Sequence, residues 1–456
     1  MSHETPFVER LRTAVLADRA PLIFVGNFEV EEQWARGEVA LPRLTSASGA
    51  AMVNRMDEFA VLLGGAEDHV IVKAAPDEDH LEHLRSLGLP LPTIHTPAEQ
   101  DPMRTVTKDA LADKRLQETL GRLGAAGAHL LAHGMSTDEE HLSLRAGIAA
   151  AAPAAEVCKA VNSKVYSRRA ADELGIVQPR GWAASNLAEL EQACTEAAAL
   201  IEQGRTVVVK EAFGVSGKGI AVVDKVARLR RLQQIIATKV ERSGADHAAF
   251  VIEEWVSNRG DLNYQFTVSR DGGVHFDFVK TALTEGGVHR GHRIPAQLGD
   301  RHLQIVRDTA EALGKKLAAD GFFGVVGIDA IRTDDDGLYP VLEINARNNM
   351  STYQVALQEK LLPGGHAALA RHYPVRLRQP LPFSGLRTAL GDLLLTGPGG
   401  EGVVIANFAT VNAAAGTAEE FDGRLYTFLV APTAERLSGL DRAISERVDE
   451  IAGGGR

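Results

Sequence analysis

The sequence predicts a mixed fold: an α/β unit with a largely parallel sheet, followed by α+β structure on antiparallel sheets. Three observations point there. Short apolar runs at residues 21–26 (PLIFVG) and 69–73 (HVIVK) alternate with helical patterns near the N-terminus, as crossover connections between parallel strands require. Beyond residue 156 the strands follow one another with few helices between them. The turn-forming stretch Thr333-Asp334-Asp335-Asp336-Gly337 separates two strand-like segments at hairpin spacing.

Taken in order, residues 128–132 (AHLLA) read as a later strand of the first unit. That unit ends near residue 155, where the Ala-rich stretch 149–155 carries Pro153, giving a first domain over 1–155. A basic helix over 162–175 then runs into Pro179, and an amphipathic helix covers 187–201. A β-branched strand at 206–210, a glycine loop and a strand at 220–223 make a hairpin-like flap. Strands at 250–256, 265–268, 274–279, 324–331 and 339–345, with a helix over 302–320, complete a region of two α+β subdomains over 156–375. Pro374, Pro380 and Pro382 suggest a joint to a small α+β region over 376–456, with strands at 402–407 and 424–430.

Composition narrows the function. With 456 residues and 45% hydrophobic content, the chain can bury two or three cores. A net charge of −11 leaves no basic excess to neutralise a phosphate backbone, so nucleic acid is not an expected partner. Cys158 and Cys194 are the only cysteines and stand in no CxxC or Cys/His cluster, which fits a reducing, cytoplasmic setting. The N-terminus lacks a signal-peptide pattern, and no apolar run reaches the ~18 residues that span a bilayer.

The chemistry concentrates in four places. The predicted hairpin brings Asp329 and Glu343 together, while Glu343, Asn345 and Arg347, at i, i+2 and i+4, share one face of a strand. Two carboxylates and an amide oxygen are hard ligands suited to Mg²⁺ that also takes substrate phosphates, and Arg347 adds a fork for an anion. An exposed acidic hairpin shows the same pattern. Residues 214–219 (GVSGKG) follow the strand ending in Lys210: Gly214, Gly217 and Gly219 permit close backbone approach to a polyphosphate, and Ser216 and Lys218 add a hydroxyl and a charge. The loop is neither a Walker A motif nor a nucleophile elbow, and it also reads as an ordinary glycine hairpin. The strand carrying Glu253, Glu254, Trp255 and Val256 can offer main-chain groups to an adenine edge, with Asp261 placed for ribose hydroxyls; an edge strand with charged ends looks the same. Finally, His289, Arg290, His292 and Arg293 form a glycine-punctuated loop in which Arg293 can neutralise a transferred phosphoryl group, or which is simply a solvated basic loop. His80 and His83 lack HExxH spacing and read as an exposed helix face, and Trp34, Trp182 and Trp255 read as packing residues.

The order of these signals resembles the ATP-grasp superfamily over roughly residues 156–373: Lys164, Lys210, the glycine loop, Glu253 to Val256, Asp261, Asp329, then Glu343, Asn345 and Arg347. The resemblance implies that Lys164 and Lys210 touch ATP phosphates and the purine, and that the glycine loop closes over the triphosphate. It further implies that Glu253, Glu254, Trp255 and Val256 read adenine, that Asp261 holds ribose, and that Asp329, Glu343 and Asn345 hold Mg²⁺. Arg347 would steady an acyl phosphate or the tetrahedral intermediate. The first domain is similar to the Rossmann-like pre-ATP-grasp domain, and the region after about residue 379 resembles the C-terminal domain of pheganomycin-type peptide ligases. The expected activity is therefore an ATP-dependent carboxylate–amine ligase acting on amino acids or peptides; the oligomeric state stays open, with a homodimer among the assemblies that the resemblance allows. Loading of an amino acid onto a carrier-protein thiol and a non-catalytic nucleotide-binding role are the alternatives.

Overall fold

In the computed structural model the described residues are 5–16, 19–42, 47–214, 219–244, 247–285 and 288–453, excepting the side chains of 47, 48, 243, 258, 285, 288 and 452. The first four strands, β1 (Leu22–Val25), β2 (His69–Ile71), β3 (Thr93–His95) and β4 (His129–Ala132), form a sheet in the order β3-β2-β1-β4. Every pair in it is parallel. β1 is buried along its whole length, which is why it reads as a continuous apolar run. β3 was not expected: three partly exposed residues after Pro92 leave no apolar run to read.

A second, antiparallel sheet comprises β5 (Gly181–Ala184), β6 (Val207–Glu211), β7 (Ile220–Val223) and β8 (Phe250–Glu254), in the order β5-β8-β6-β7. The third sheet takes the remaining strands: β9 (Asn258–Val268), β10 (Val274–Glu285), β11 (Val288–Ile294), β12 (Gly324–Thr333), β13 (Leu338–Asn345), β14 (Ala367–Leu377), β15 (Gly402–Asn407) and β16 (Phe421–Ala431). They run β13-β12-β9-β10-β11-β14-β16-β15 with every neighbour antiparallel. The helix Lys164–Glu173 lies between the second and third sheets. Ser163 caps it, its side chain accepting from Val165 N at 3.2 Å.

Two expectations change. Pro374 is not a joint, for it lies inside β14, and the position 375/376 falls within that strand. β14 pairs with β11 only over residues 368–371, so beyond Arg371 one edge of β14 carries no partner strand and proline's missing N–H leaves no ladder bond unmade. β15 and β16 therefore extend the same sheet, while packing a core of their own with the C-terminal helix, including Phe383, Leu425 and Ile444. The second change concerns His80, which is buried rather than exposed. Its Nε2 meets Ile405 O at 2.9 Å and its ring packs on Phe383, because the helix Glu78–Ser86 docks on the C-terminal region. One apolar cluster joins the N-terminal sheet to that region through Phe24, Val70, Tyr353, Val404 and Phe428.

Candidate active site

β12 and β13 pair so that Asp329 lies directly opposite Glu343 and Gly327 opposite Asn345. Directly opposed residues share a face, so the predicted convergence is present in the backbone itself. Around Asp329 the polar groups interlock. Asn263 on β9 donates its amide N–H to Asp329 Oδ1 at 3.0 Å, and Asn345 donates to Asp329 Oδ2 at 3.1 Å. Arg347 donates from Nη2 to Asn345 Oδ1 at 3.0 Å and from Nη1 to Asn348 O at 2.9 Å. Nη2 also meets Glu31 of the N-terminal domain. Arg347 Nε is buried with no hydrogen-bond partner among the described residues, leaving a donor for an anion.

Lys164 ties this face to the glycine loop. Its Nζ donates to Glu343 Oε1 at 2.7 Å and to Gly214 O at 3.0 Å. The helix it begins makes two further contacts: Arg168 pairs with Glu253 at 3.7 Å, and Ser167 Oγ accepts from Ile344 N at 3.0 Å. Burial, and then the charge of Glu343, push the Asp329 carboxyl up to about 6. A divalent cation relieves that repulsion, and the donor set suits one. Among the described residues no group of three or more His, Cys, Asp or Glu could hold a metal, so two carboxylates with one amide oxygen leave the remaining positions to phosphate and water, as a Mg²⁺ site does. Asn345 Oδ1 keeps a second lone pair beyond the one that Arg347 engages.

At the other end, Glu253 is buried and ion-paired with Lys210, and Glu254 pairs with Arg205. β8 is an interior strand, which removes the edge-strand reading. The main-chain N–H groups of Glu254 and Trp255 donate to Arg180 O at 2.8 Å and Thr206 O at 2.9 Å, so neither is free for adenine in this conformation. Trp255 is 48% exposed, unlike Trp34, which is buried and whose indole donates to Met135 O at 2.9 Å. Val256 is half-buried at the strand's end. Asp261 accepts a hydrogen bond from the Thr284 hydroxyl and lies two residues from Asn263 on the same face of β9. Gly219 closes the root of the flap with φ +77°, and a Cβ there would come within 2.6 Å of Glu211 Oε2. Ser216, Gly217 and Lys218 lie outside the described residues.

Arg293 is not brought to this face. In the register Asp329, Asn263 and Lys280 are opposed across β12, β9 and β10, whereas Arg293 opposes Thr281, which opposes Leu262. Alternation thus sends Arg293 to the far side of the sheet and His292 to the near side. There, His292 Nδ1 meets Gln354 Nε2 at 3.0 Å and His289 lies 3.2 Å from His292. Lys280, fully buried, donates to Ser351 O at 2.9 Å and Gln354 Oε1 at 3.2 Å, and burial holds its ammonium well below its ordinary range. Asn263, Lys280 and Glu31 were missed from the sequence. The first was legible: Asp261, Asn263, Gln265 and Thr267 alternate with Leu262, Tyr264, Phe266 and Val268 without a break.

Residues 56–148 match the family model described as the Pre ATP-grasp domain, and residues 169–355 match that of the ATP-grasp domain. Among curated proteins, the chain is 24% identical over 329 residues to the butirosin acyl-carrier protein–L-glutamate ligase of Niallia circulans, covering 72% of each. It is 26% identical over 193 residues to the formate-dependent phosphoribosylglycinamide formyltransferase of Bacteroides fragilis, covering 42% of this chain and 47% of that enzyme. Two solved structures share the fold at 13% identity. The biotin carboxylase–β-γ-ATP complex of Campylobacter jejuni superposes with a TM-score of 0.54 over 92% of this chain and 90% of that one. The N5-carboxyaminoimidazole synthase of Aspergillus clavatus, complexed with ADP and its ribonucleotide, gives 0.51 over 95% and 99%. The two matches together take in more than half of the residues, and the chain is an ATP-grasp protein with a pre-ATP-grasp domain ahead of its ATP-grasp domain.

Proposed function

We propose that the chain joins a carboxylate to an amine at the expense of ATP, through an acyl phosphate, releasing ADP and phosphate. One observation carries this reading: Lys164 Nζ bridges Glu343 Oε1 and Gly214 O, so the carboxylate pair and the start of the glycine loop share one ammonium. In that arrangement Lys164 and Lys210 hold ATP phosphates, and Asp329, Glu343 and Asn345 would hold Mg²⁺. Bound there, Mg²⁺ supplies charge neutralisation at the transferring phosphoryl group. Arg347 orients the acyl phosphate through its free Nε–H, while Asn345 and Asn348 fix the guanidinium plane. No protein nucleophile is required, and positioning supplies most of the acceleration.

The likeness of the C-terminal region to pheganomycin-type ligases favours an amino acid and an amino acid or peptide as substrates, and an amide as product. A second reading is favoured by the Niallia circulans relative, whose name pairs a carrier protein with L-glutamate: transfer of an amino acid to a carrier protein, as a thioester on its thiol. Mass spectrometry after incubation with ATP, Mg²⁺ and a pool of amino acids and short peptides separates the readings. An amide formed in step with ADP supports the first. Product formed only when a carrier protein is present supports the second, and tight ATP binding with no ADP release under either condition refutes both.

A further inference from the structure

We propose that residues 38–41 of the N-terminal domain brace the β6–β7 hairpin from behind, and that Glu38, Leu41 and Glu211 are positioning residues for the nucleotide-facing strand β6. This rests on the ligase reading, in which Lys210 on β6 holds ATP.

The two faces of β6 do different things. Val207, Val209 and Glu211 alternate with Val208 and Lys210, so the neighbours Lys210 and Glu211 point to opposite sides of the sheet. On the front, Lys210 meets Glu253, which Arg168 of the helix Lys164–Glu173 also reaches. On the back, Val207 and Val209 pack with the helices Leu187–Glu202 and Val226–Ser243 in a core of their own. Among the described residues, every buried member of that core but one comes from positions 184–252. The exception is Leu41, 5% exposed, with Val39 packed beside it.

Polar contacts hold the same segment. Leu41 N donates to the buried carboxylate of Glu211 at Oε1. Lys239 Nζ donates to Ala40 O at 2.5 Å. Glu38 meets Lys159 Nζ at 2.9 Å with one carboxylate oxygen and His247 Nε2 at 2.8 Å with the other. Glu211 in turn touches the root of the hairpin: its N–H donates to Gly219 O at 2.9 Å, and its Oε2 lies where Gly219 leaves no room for a Cβ. Residue 41 therefore reaches the base of the hairpin through one carboxylate. Upstream on the same stretch of chain, Glu31 meets Arg347, the arginine that the ligase reading sets at the acyl phosphate. One segment thus ties that arginine to the strand carrying Lys210. With the hairpin loosened, water reaches the acyl phosphate ahead of the amine and returns carboxylate and phosphate, so ADP is released with no amide formed.

The test uses the full chain and the variants Leu41→Ala, Leu41→Met and Glu38→Gln. In the ligase assay Leu41→Ala is expected to raise the KM for ATP roughly fivefold and to lower the amide formed per ADP released, with the KM for the amine unmoved. Leu41→Met, which conserves the volume, should restore both. Glu38→Gln keeps the shape and removes the charge, and should shift the same two quantities in the same direction by a smaller factor. If neither quantity moves in Leu41→Ala or Glu38→Gln, the brace is overturned and the ligase stands. If wild type does not turn over, hydrogen exchange decides. Leu41→Ala should then speed exchange at residues 207–211 and 220–223 about tenfold, while residues 22–25 of β1 keep the wild-type rate. Exchange unchanged in the hairpin, or raised equally in β1, overturns the brace. Should Leu41→Ala fail to fold, Glu38→Gln carries both measurements.

Discussion

Two hairpins of the third sheet, one on each side of β9, carry clusters of charged and polar residues, yet only one brings its cluster to a single face. In β12–β13, Asp329, Glu343 and Asn345 occupy opposed or alternate positions and converge on one face, with Arg347 just beyond the strand. In β10–β11 the adjacent residues His292 and Arg293 are split between faces, so the histidine enters a buried network with Gln354 while the guanidinium leaves it. The difference teaches that a period of two, more than local charge density, decides which residues of a strand act together.

The largest effect should come from the converging hairpin. On the proposed reading Glu343→Gln takes a charge from the metal site and from the Lys164 ammonium together, and turnover is expected to fall on the order of a hundredfold. ATP binding should weaken much less, because the adenine end is untouched. Steady-state kinetics with a separate nucleotide-binding measurement checks this; unchanged turnover removes Glu343 from the machinery. Lys210→Ala should act the other way, raising the ATP concentration for half-saturation by roughly tenfold. It also strips buried Glu253 of its nearer cationic partner, leaving Arg168 at 3.7 Å, so a lowered melting temperature is expected alongside.

A subtler contrast lies in pH. The Asp329 carboxyl is pushed up to about 6, so it must lose its proton before it can hold a cation. The kcat/KM for ATP should therefore fall as pH drops through about 6, where an ordinary aspartate would stay ionised to about 4. Asn263 donates to Asp329 Oδ1 and stabilises the ionised form, so Asn263→Ala should move this acid limb to higher pH, a several-fold loss near pH 6 that fades in alkali. An acid limb that does not respond to Asn263 would place the titrating group elsewhere.

How much of this was legible follows from the same physics. Motif spacing along single strands carried Asp329, Glu343, Asn345 and Arg347, because alternation is local. Asn263 was equally readable, and was lost only because β9 was begun too late. Lys280 and Glu31 are different in kind. Nothing local marks a lysine as buried beneath Ser351 and Gln354, or a helix glutamate as the partner of an arginine 316 positions away, since both depend on how sheets and domains pack. Pro374 misled for a related reason: proline signals an unpaired strand edge as well as a joint, and only the register of β14 against β11 and β16 tells which.

The smallest expected effect is at Arg293, and it tests the comparison most directly. If strand alternation governs, Arg293→Ala removes a side chain on the face opposite Asp329, and turnover should change by no more than about threefold at saturating substrates. Any loss should appear as a lowered melting temperature, because Arg293 Nε is buried and its removal leaves space on that face beside Leu369, its partner on β14. The control is His292→Ala on the near face, which breaks the hydrogen bond to Gln354 and through it loosens the acceptor for Lys280. A much greater loss of turnover at Arg293 than at His292, with melting temperatures matched, would mean that the arginine reaches the reacting phosphate across the sheet edge. The two hairpins would then form one site, and the face each residue occupies would no longer explain which of them act together.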